Sequence, residues 1–431
     1  MKQIVIVGLD DQHLEQLRAL PGASAYHFEA LLTRDQVKHA AQFPVGWLLS
    51  EGVDQLRAKR RQVDAVIGYW DFPVSTVLPI LRRAIGLPGP SLEAVLACEH
   101  KYWSRLLQAE VVPEHVPRFC AVDPFSDNPL AQISIDFPFW LKPVKAVLSN
   151  LGFRVSDVAD FDQAITRIRQ EIDRWATPFN LILEQAQLPT AIAGVDGRYC
   201  IAEGMICAEH QVTQEGWAFN GEIEIYGTID SKRTGPTASS FERYQYPSQL
   251  PPTVLERMST ISRRVISHIG YDIAPFNIEY FWNPTTDQIW LLEINTRISK
   301  SHAPLFQMVD GCYHHQVMVD LGLGQRPRFR TGQGACPIAA KFMLRRFSDA
   351  IVKRIPSAQE IAAIEDAIPC SRIEIAVEPG KRLSALRDQD SYSYEVAVVF
   401  IGGEDEAELD AKWEECRRRL PLEFEPVENE D

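Results

Sequence analysis

No stretch of the 431-residue chain approaches the ~20 consecutive apolar residues that a membrane-spanning helix needs. Its eight cysteines contain no C-x-x-C, and the two closest in sequence, Cys200 and Cys207, fit no common zinc spacing. They are expected to be reduced, mostly buried thiols of a cytoplasmic protein. No secretory leader is expected, because Met1-Lys2 is followed only by a short apolar segment ending at Asp10-Asp11. Basic residues are in the minority: 44 Lys and Arg stand against 58 Asp and Glu, a net charge of −14. That balance argues against nucleic acid or an anionic membrane as partner, although local basic pockets remain compatible with it. Gly8 stands alone and not within a G-x-G-x-x-G, so the dinucleotide fingerprint is missing. There is no repeat, coiled coil or low-complexity tract, and no Met-Lys-Met turn of a biotin carrier.

What is present is ordinary globular material, 45% hydrophobic and 24% charged, enough for about two to four domains. Residues 2–8 and 63–69 read as buried strands, with helices over 13–20 and 75–85. This alternation predicts a small α/β sheet. Ser91 is a good N-cap for a helical pattern that runs to about Ala109. Residues 137–143 read as a strand carrying Lys142, 161–175 as a helix, 181–184 as a strand, and 192–204 as a hairpin turning at Asp196-Gly197. Residues 211–242 are polar and suggest a mobile flap. A helix is expected over 252–268, and from about Gln325 a separate α+β module. His314-His315 reads as helix surface and core, not as a metal site.

The most informative segment is I-W-L-L-E-I-N-T-R, from Ile289 to Arg297. On a strand, Glu293, Asn295 and Arg297 share one face. Upstream, N-I-E-Y-F from Asn277 reads as a second strand, and N-P-T-T-D as the turn between them. A hairpin centred on Thr286 puts Glu279 opposite Glu293, roughly 5 Å away. Two ionised carboxylates at that distance repel by roughly 3 kcal/mol at an effective dielectric near 20. Such a pair calls for a cation, and hard oxygen ligands suit Mg²⁺. Arg297 adds a fixed cation for a phosphate or carboxylate. Lys101, Lys142 and Glu184 precede the hairpin in order. Two lysines, a small-residue loop and an acid pair are what a polyphosphate requires.

G-L-P-G-P-S-L-E-A-V-L-A-C-E-H-K-Y-W-S-R-L-L from Gly86, F-W-L-K-P from Phe139, L-I-L-E-Q from Leu181, F-N-I-E-Y-F from Phe276 and L-L-E-I-N-T-R from Leu291 resemble the ATP-grasp superfamily of ADP-forming carboxylate–amine ligases. The resemblance covers about residues 60–325. It implies an α/β and α+β chain with an N-terminal pre-ATP-grasp domain at 1–95 and a two-part core at 96–325, divided near 184. The remainder, 326–431, is similar to the C-terminal module of L-amino-acid ligases, which packs over the active site. By the same resemblance Lys101 and Lys142 hold ATP phosphates, and Glu184, Gln185 and Ala186 line the adenine slot. Glu279, Glu293 and Asn295 ligate two Mg²⁺ ions, with Mn²⁺ as a substitute, and Arg297 acts at the acyl phosphate. Arg233, Lys300 and His302 are further candidates for phosphate or substrate contacts. The implied partners are a small carboxylate and an amine, in a homodimer. Other readings are a different ATP-grasp ligase or carboxylase, or a nucleotide-binding protein without catalysis. Two features depart from the family pattern. Ala191 stands where a ribose-binding glutamate is common, and the loop K-A-V-L-S-N-L-G has few glycines.

Overall fold

The computed structural model describes residues 1–37, 43–147, 150–235, 240–386, 389 and 393–427. It begins with β1 (Lys2–Leu9), α1 (Asp11–Arg18), β2 (Tyr26–Thr33), α2 (Arg34–Val37), α3 (Val45–Ala58), β3 (Ala65–Ile67) and α4 (Val74–Ile85). The three strands form the expected small parallel sheet, in the order β2-β1-β3. Gly8 has a structural reason. Its φ is +78°, and a Cβ there would meet Val37 Cγ2 at 2.6 Å and Trp70 Cδ1 at 2.8 Å. Trp70 closes over this backbone and donates its indole N–H to the Gly8 carbonyl at 2.7 Å. The next residue, Asp71, is thereby carried to the edge of this layer.

The helix expected over 91–109 is two helices, α5 (Leu92–Glu99) and α6 (Lys101–Val111). His100 separates them with extended backbone (φ −80°, ψ 101°). Its Nδ1 accepts from the Trp103 N–H at 3.2 Å, and Nε2 meets the Val195 carbonyl at 2.8 Å. Accepting on one nitrogen and donating from the other needs a neutral ring. Burial brings the His100 pKa down to about 4, which keeps it neutral. Lys101 therefore starts α6. A cation at a helix N-terminus is locally unfavourable, which marks the position as one kept for another purpose.

Next come β4 (Phe119–Val122), β5 (Phe139–Pro143), β6 (Phe153–Val155), α7 (Val158–Glu171), α8 (Asp173–Leu183) and β7 (Cys200–Gly204). The strands form an antiparallel sheet ordered β4-β7-β5-β6. Here two expectations fail. Residues 181–184 close α8 and are not a strand. Ile182 and Leu183 bury one face while Leu181 and Glu184 stay exposed, the helical pattern that a four-residue window cannot resolve. Residues 192–199 are turns, and the strand begins only at Cys200.

The largest sheet is built from β8 (His210–Phe219), β9 (Glu222–Thr234), β10 (Ser240–Tyr246), β11 (Ala274–Asn283) and β12 (Gln288–Asn295). It is backed by α9 (Pro252–Ile269), which ends at Gly270 as expected, and followed by α10 (Ala303–Asp310) and α11 (His315–Gly322). The polar flap is thus mostly three strands, with a turn at residues 220–221, and its residues 236–239 lie outside the described residues. The final segment adds β13 (Ile338–Arg346), β14 (Ala350–Arg354), α12 (Ala358–Ala367), β15 (Ser371–Ile375), β16 (Tyr394–Gly403), α13 (Glu406–Arg419) and β17 (Glu423–Pro426). It is not set apart. β13 pairs with β10, so one eight-stranded sheet runs β12-β11-β8-β9-β10-β13-β16-β15. Ile278, Tyr280 and Ile294 bury one face against α9, and Ile338, Ala340 and Phe342 pack with α12 and α13. The opposite face carries the acidic hairpin. No helix among the described residues is long and apolar enough to cross a membrane.

Candidate active site

β11 and β12 form the expected hairpin, with Glu279 directly opposite Glu293. A bulge makes this possible. The pairing from Phe281↔Trp290 to Tyr280↔Leu291 shifts by one residue before Glu279↔Glu293, leaving Leu292 as the extra residue. Without it Glu279 would face Leu292, and the second carboxylate would point to the other side of the sheet. Burial, then the charge of Glu293, pushes the Glu279 carboxyl up to about 7, against the pull of Arg233, Arg297 and a 2.9 Å hydrogen bond from Gln211. Asn295 donates its amide N–H to Asn277 Oδ1 at 3.0 Å, and Asn277 donates to the Arg297 carbonyl at 3.0 Å. Asn277 thus fixes the Asn295 amide and leaves Asn295 Oδ1 as the free acceptor.

Two carboxylates and an amide oxygen make a sparse protein donor set for a metal. Among the described residues there is no larger His, Cys, Asp and Glu cluster at metal-holding spacing. A sparse all-oxygen set fits Mg²⁺, which keeps waters and phosphate oxygens as its other ligands. Burial and then the facing Glu293 raise the Glu279 carboxyl, and a cation between the two would relieve that repulsion. A carboxyl must lose its proton to ligate. Mg²⁺ affinity is therefore expected to fall as pH drops below about 7 and to level off above it. Calorimetry at pH 6.5 in buffers of different ionisation enthalpy should register proton release on Mg²⁺ binding. Without metal the sign reverses for stability. Because the folded value lies above the ordinary 4.5, the contribution of Glu279 is present below that pH and is lost as pH rises through about 7.

Three lysines approach this pair. Lys101 Nζ lies 3.8 Å from Glu293 Oε2 and donates to the Ala146 carbonyl at 3.0 Å. Burial lowers its pKa, with Glu293 acting the other way and Lys145 and Lys142 adding repulsion. Lys142 Nζ is 2.6 Å from Glu203 Oε2 on β7. Lys145 pairs with Glu99 and lies 4.0 Å from Asp71 Oδ1. Lys145 was not singled out from the sequence, although it opens the quoted loop K-A-V-L-S-N-L-G. Of that loop, Leu148 and Ser149 lie outside the described residues.

Arg105, also unforeseen, ties the two sheets together. Its Nε is 2.6 Å from Glu203, and its two terminal nitrogens donate to the Leu291 and Leu292 carbonyls at 2.7 and 2.8 Å. Those carbonyls belong to the bulge, so Arg105 locks the irregularity that presents Glu293. Burial raises the Glu203 carboxyl, but Arg105 and Lys142 outweigh it and bring it down to about 2.

Arg297 holds Asp71 Oδ2 at 2.6 Å, so it already presents its guanidinium to a carboxylate. Burial opposes the charge on Asp71, yet Arg297 and Lys145 keep its carboxyl well below the usual range. Glu99 joins the network by accepting from Lys145 and from the Thr296 hydroxyl. Beyond Arg297 the chain turns back across the sheet. Ser299 N donates to the fully buried Glu215 of β8 at 3.2 Å, and His302 Nδ1 lies 2.8 Å from the same carboxylate. His302 is therefore a buried partner of Glu215. Lys300 projects over the Trp70 ring at 4.4 Å. Arg233 Nε donates to Gln211 at 2.7 Å, one residue removed from Glu279.

Glu184, Gln185 and Ala186 are the correction. They lie in the turn after α8, with Glu184 and Gln185 exposed, and not on the strand that leads from the smaller antiparallel sheet to the larger one. That link runs from β7 to β8, through residues 205–209. L-I-L-E-Q and C-I-A-E-G are both short apolar runs ending in glutamate. The sequence offered no charge pattern to choose between them.

Residues 135–303 match the ATP-grasp domain family. Over that segment the chain is similar to ATP-grasp domains. The fold extends beyond the matched segment. The L-amino acid ligase of Bacillus licheniformis superposes with a TM-score of 0.71 over 99% of this chain and 99% of that one, at 14% identity. The biotin carboxylase of Campylobacter jejuni, solved as a beta-gamma-ATP complex, gives 0.65 over 99% and 92%, at 13% identity. The biotin carboxylase domain of the Hydrogenobacter thermophilus 2-oxoglutarate carboxylase, solved with MgADP and bicarbonate, gives 0.65 over 98% and 91%, at 12% identity. No curated protein matches the sequence. These structures include both an amino acid ligase and carboxylases, so the fold leaves the acceptor open.

Proposed function

We propose that the protein is an ADP-forming ligase that activates a carboxylate with ATP and joins it to the amine of an amino-acid-like substrate. The observation that carries this reading is the Glu279–Glu293 pair, with Lys101 3.8 Å from Glu293 and Arg297 at the exit of the same strand. In the first step a substrate carboxylate oxygen bonds to the γ-phosphorus and the bond to the β,γ-bridging oxygen breaks, releasing ADP. In the second, an amine nitrogen bonds to the acyl carbon and the C–OPO₃ bond breaks, releasing phosphate and a proton. Lys101, Lys142 and Lys145 would neutralise phosphate oxygens and position the chain of phosphates. Mg²⁺ held by Glu279, Glu293 and Asn295 would supply charge neutralisation at the β- and γ-phosphates. Arg297, released from Asp71, would hold the substrate carboxylate and then the oxyanion of the tetrahedral intermediate. An amine acceptor is favoured by the higher TM-score with the amino acid ligase, 0.71 against 0.65 for the two carboxylases.

Incubation with ATP, Mg²⁺ and a panel of amino acids tests the reading, with bicarbonate in a parallel series. Phosphate release that needs two organic substrates, together with an amide seen by mass spectrometry, is the expected result. Phosphate release with bicarbonate alone would replace the amine acceptor with carboxylation, and absence of turnover would remove catalysis altogether. Replacement of Lys142 by Ala should weaken ADP binding about tenfold or more by calorimetry, the loss of one charge-assisted phosphate contact.

A further inference from the structure

The sheet face that carries the metal pair continues, strand by strand, into the C-terminal segment. Gln211, which hydrogen-bonds Glu279, pairs across β8–β9 with Ser231. Ser231 pairs with Tyr244 on β10, and Tyr244 with Lys341 on β13. Directly paired residues project from the same face. This row therefore leads from the acidic hairpin to Lys341, three strands away from Gln211.

The last three members of the row all carry hydrogen-bond donors. Ser231 is buried, and its hydroxyl has no partner among the described residues. Lys341 Nζ donates to Ser301 Oγ at 2.8 Å and lies 5.7 Å from the Tyr244 ring centre. Among the described residues no carboxylate stands within ion-pair distance of it. A half-buried ammonium without an anion, and on the same face two strands away a buried unpaired hydroxyl, are costly unless a ligand completes them. Ser301 belongs to the segment that leaves Arg297 and crosses the sheet, so Lys341 is tied to the chain that carries the acyl-phosphate arginine. Tyr244 stacks edge-on against His302 at 5.1 Å, and its hydroxyl lies within electrostatic reach of Glu279 and Arg233.

We infer that Lys341, Tyr244 and Ser231 form the receptor for the carboxylate of the amine substrate, so that the nucleophile is a free amino acid and not ammonia or a simple amine. The inference rests on the ligase reading and deepens it. Gln211 and Tyr244 are two strand spacings apart, ~10 Å. The long Lys341 and Tyr244 side chains span part of that distance, and an amino acid bridges the remainder. One strand, β13, thus supplies the C-terminal segment with a direct task at the site.

The test uses nucleophiles that differ only in the carboxylate. With the full-length enzyme, ATP and Mg²⁺, each amino acid nucleophile of the active pair is compared with its α-carboxamide, and hydroxylamine traps the acyl phosphate. The wild type should use the acid with a KM about tenfold to a hundredfold below that of the amide. In Lys341→Met this preference should vanish through a rise in KM for the acid, with kcat changed far less, and Lys341→Arg should restore most of it. Equal use of acid and amide by the wild type would overturn the inference, and that comparison needs no variant to fold. A preference that survives in Lys341→Met would overturn the assignment to Lys341. Absence of any hydroxamate would instead sink the ligase reading, so the two failures are distinguishable.

Discussion

Glu293→Gln is expected to lower turnover by about a thousandfold or more while the protein stays folded. The amide keeps the size of the carboxylate and one acceptor oxygen but removes the charge that would face the cation. It also removes the charge that Glu279 feels across the hairpin at their paired position. The Glu279 carboxyl should therefore return toward its ordinary range, and the metal-free variant should unfold at the same temperature as the wild type or higher. A site that trades stability for function behaves this way when its strain is relieved. Steady-state phosphate release and a thermal scan without metal check both halves. Wild-type turnover in this variant would refute the metal assignment, and a large fall in unfolding temperature would show that the pair is structural.

The second large effect is on stability, and it lies at Arg105. This guanidinium is 2% exposed and is shared by Glu203, Gln108 and the Leu291 and Leu292 carbonyls. Arg105→Met fills much of the volume but leaves Glu203 buried with Lys142 alone, and leaves the bulge carbonyls without donors. Breaking a buried ion pair from one side typically costs about 3–5 kcal/mol. The unfolding midpoint should fall by about 3–6 °C. Arg105→Lys keeps the charge but not the fork, so it should recover only part of the loss. Differential scanning calorimetry decides. A midpoint for Arg105→Met within about 1 °C of the wild type would show that the bulge holds itself.

The hairpin was legible because its signal is local. Strand periodicity, a four-residue turn and two acids at symmetric distances define a register, and the structure has that register, corrected by a bulge at Leu292. The small parallel sheet and the helix ending at Gly270 were legible for the same reason. What escaped was long-range. Residues 181–184 carry the composition of a buried strand and form the end of a helix, because the neighbours that decide lie outside the window. The flap looked like loop because its strands are polar on the functional face: Gln211, Thr213 and Glu215 alternate inward along β8. Arg105, Glu203, Asp71 and Lys341 have no motif. They gain roles only when α6, β7, the β3–α4 loop and β13 are brought to the hairpin. Lys101 was found from its order in the chain. Its position at the start of a helix, where a cation is locally disfavoured, was a second signal that needed the break at His100 to be known.

The central claim is that Glu279 and Glu293 hold the divalent ions that serve a nucleotide's terminal phosphates. Its most direct test is a crystal structure with ADP and Mn²⁺, read by anomalous scattering. Mn²⁺ density in contact with both carboxylates and Asn295 Oδ1, with the ADP phosphates between it and Lys101, is the predicted result. Ordered ADP with no metal at the pair, or a metal bound elsewhere while the pair faces solvent, would contradict it.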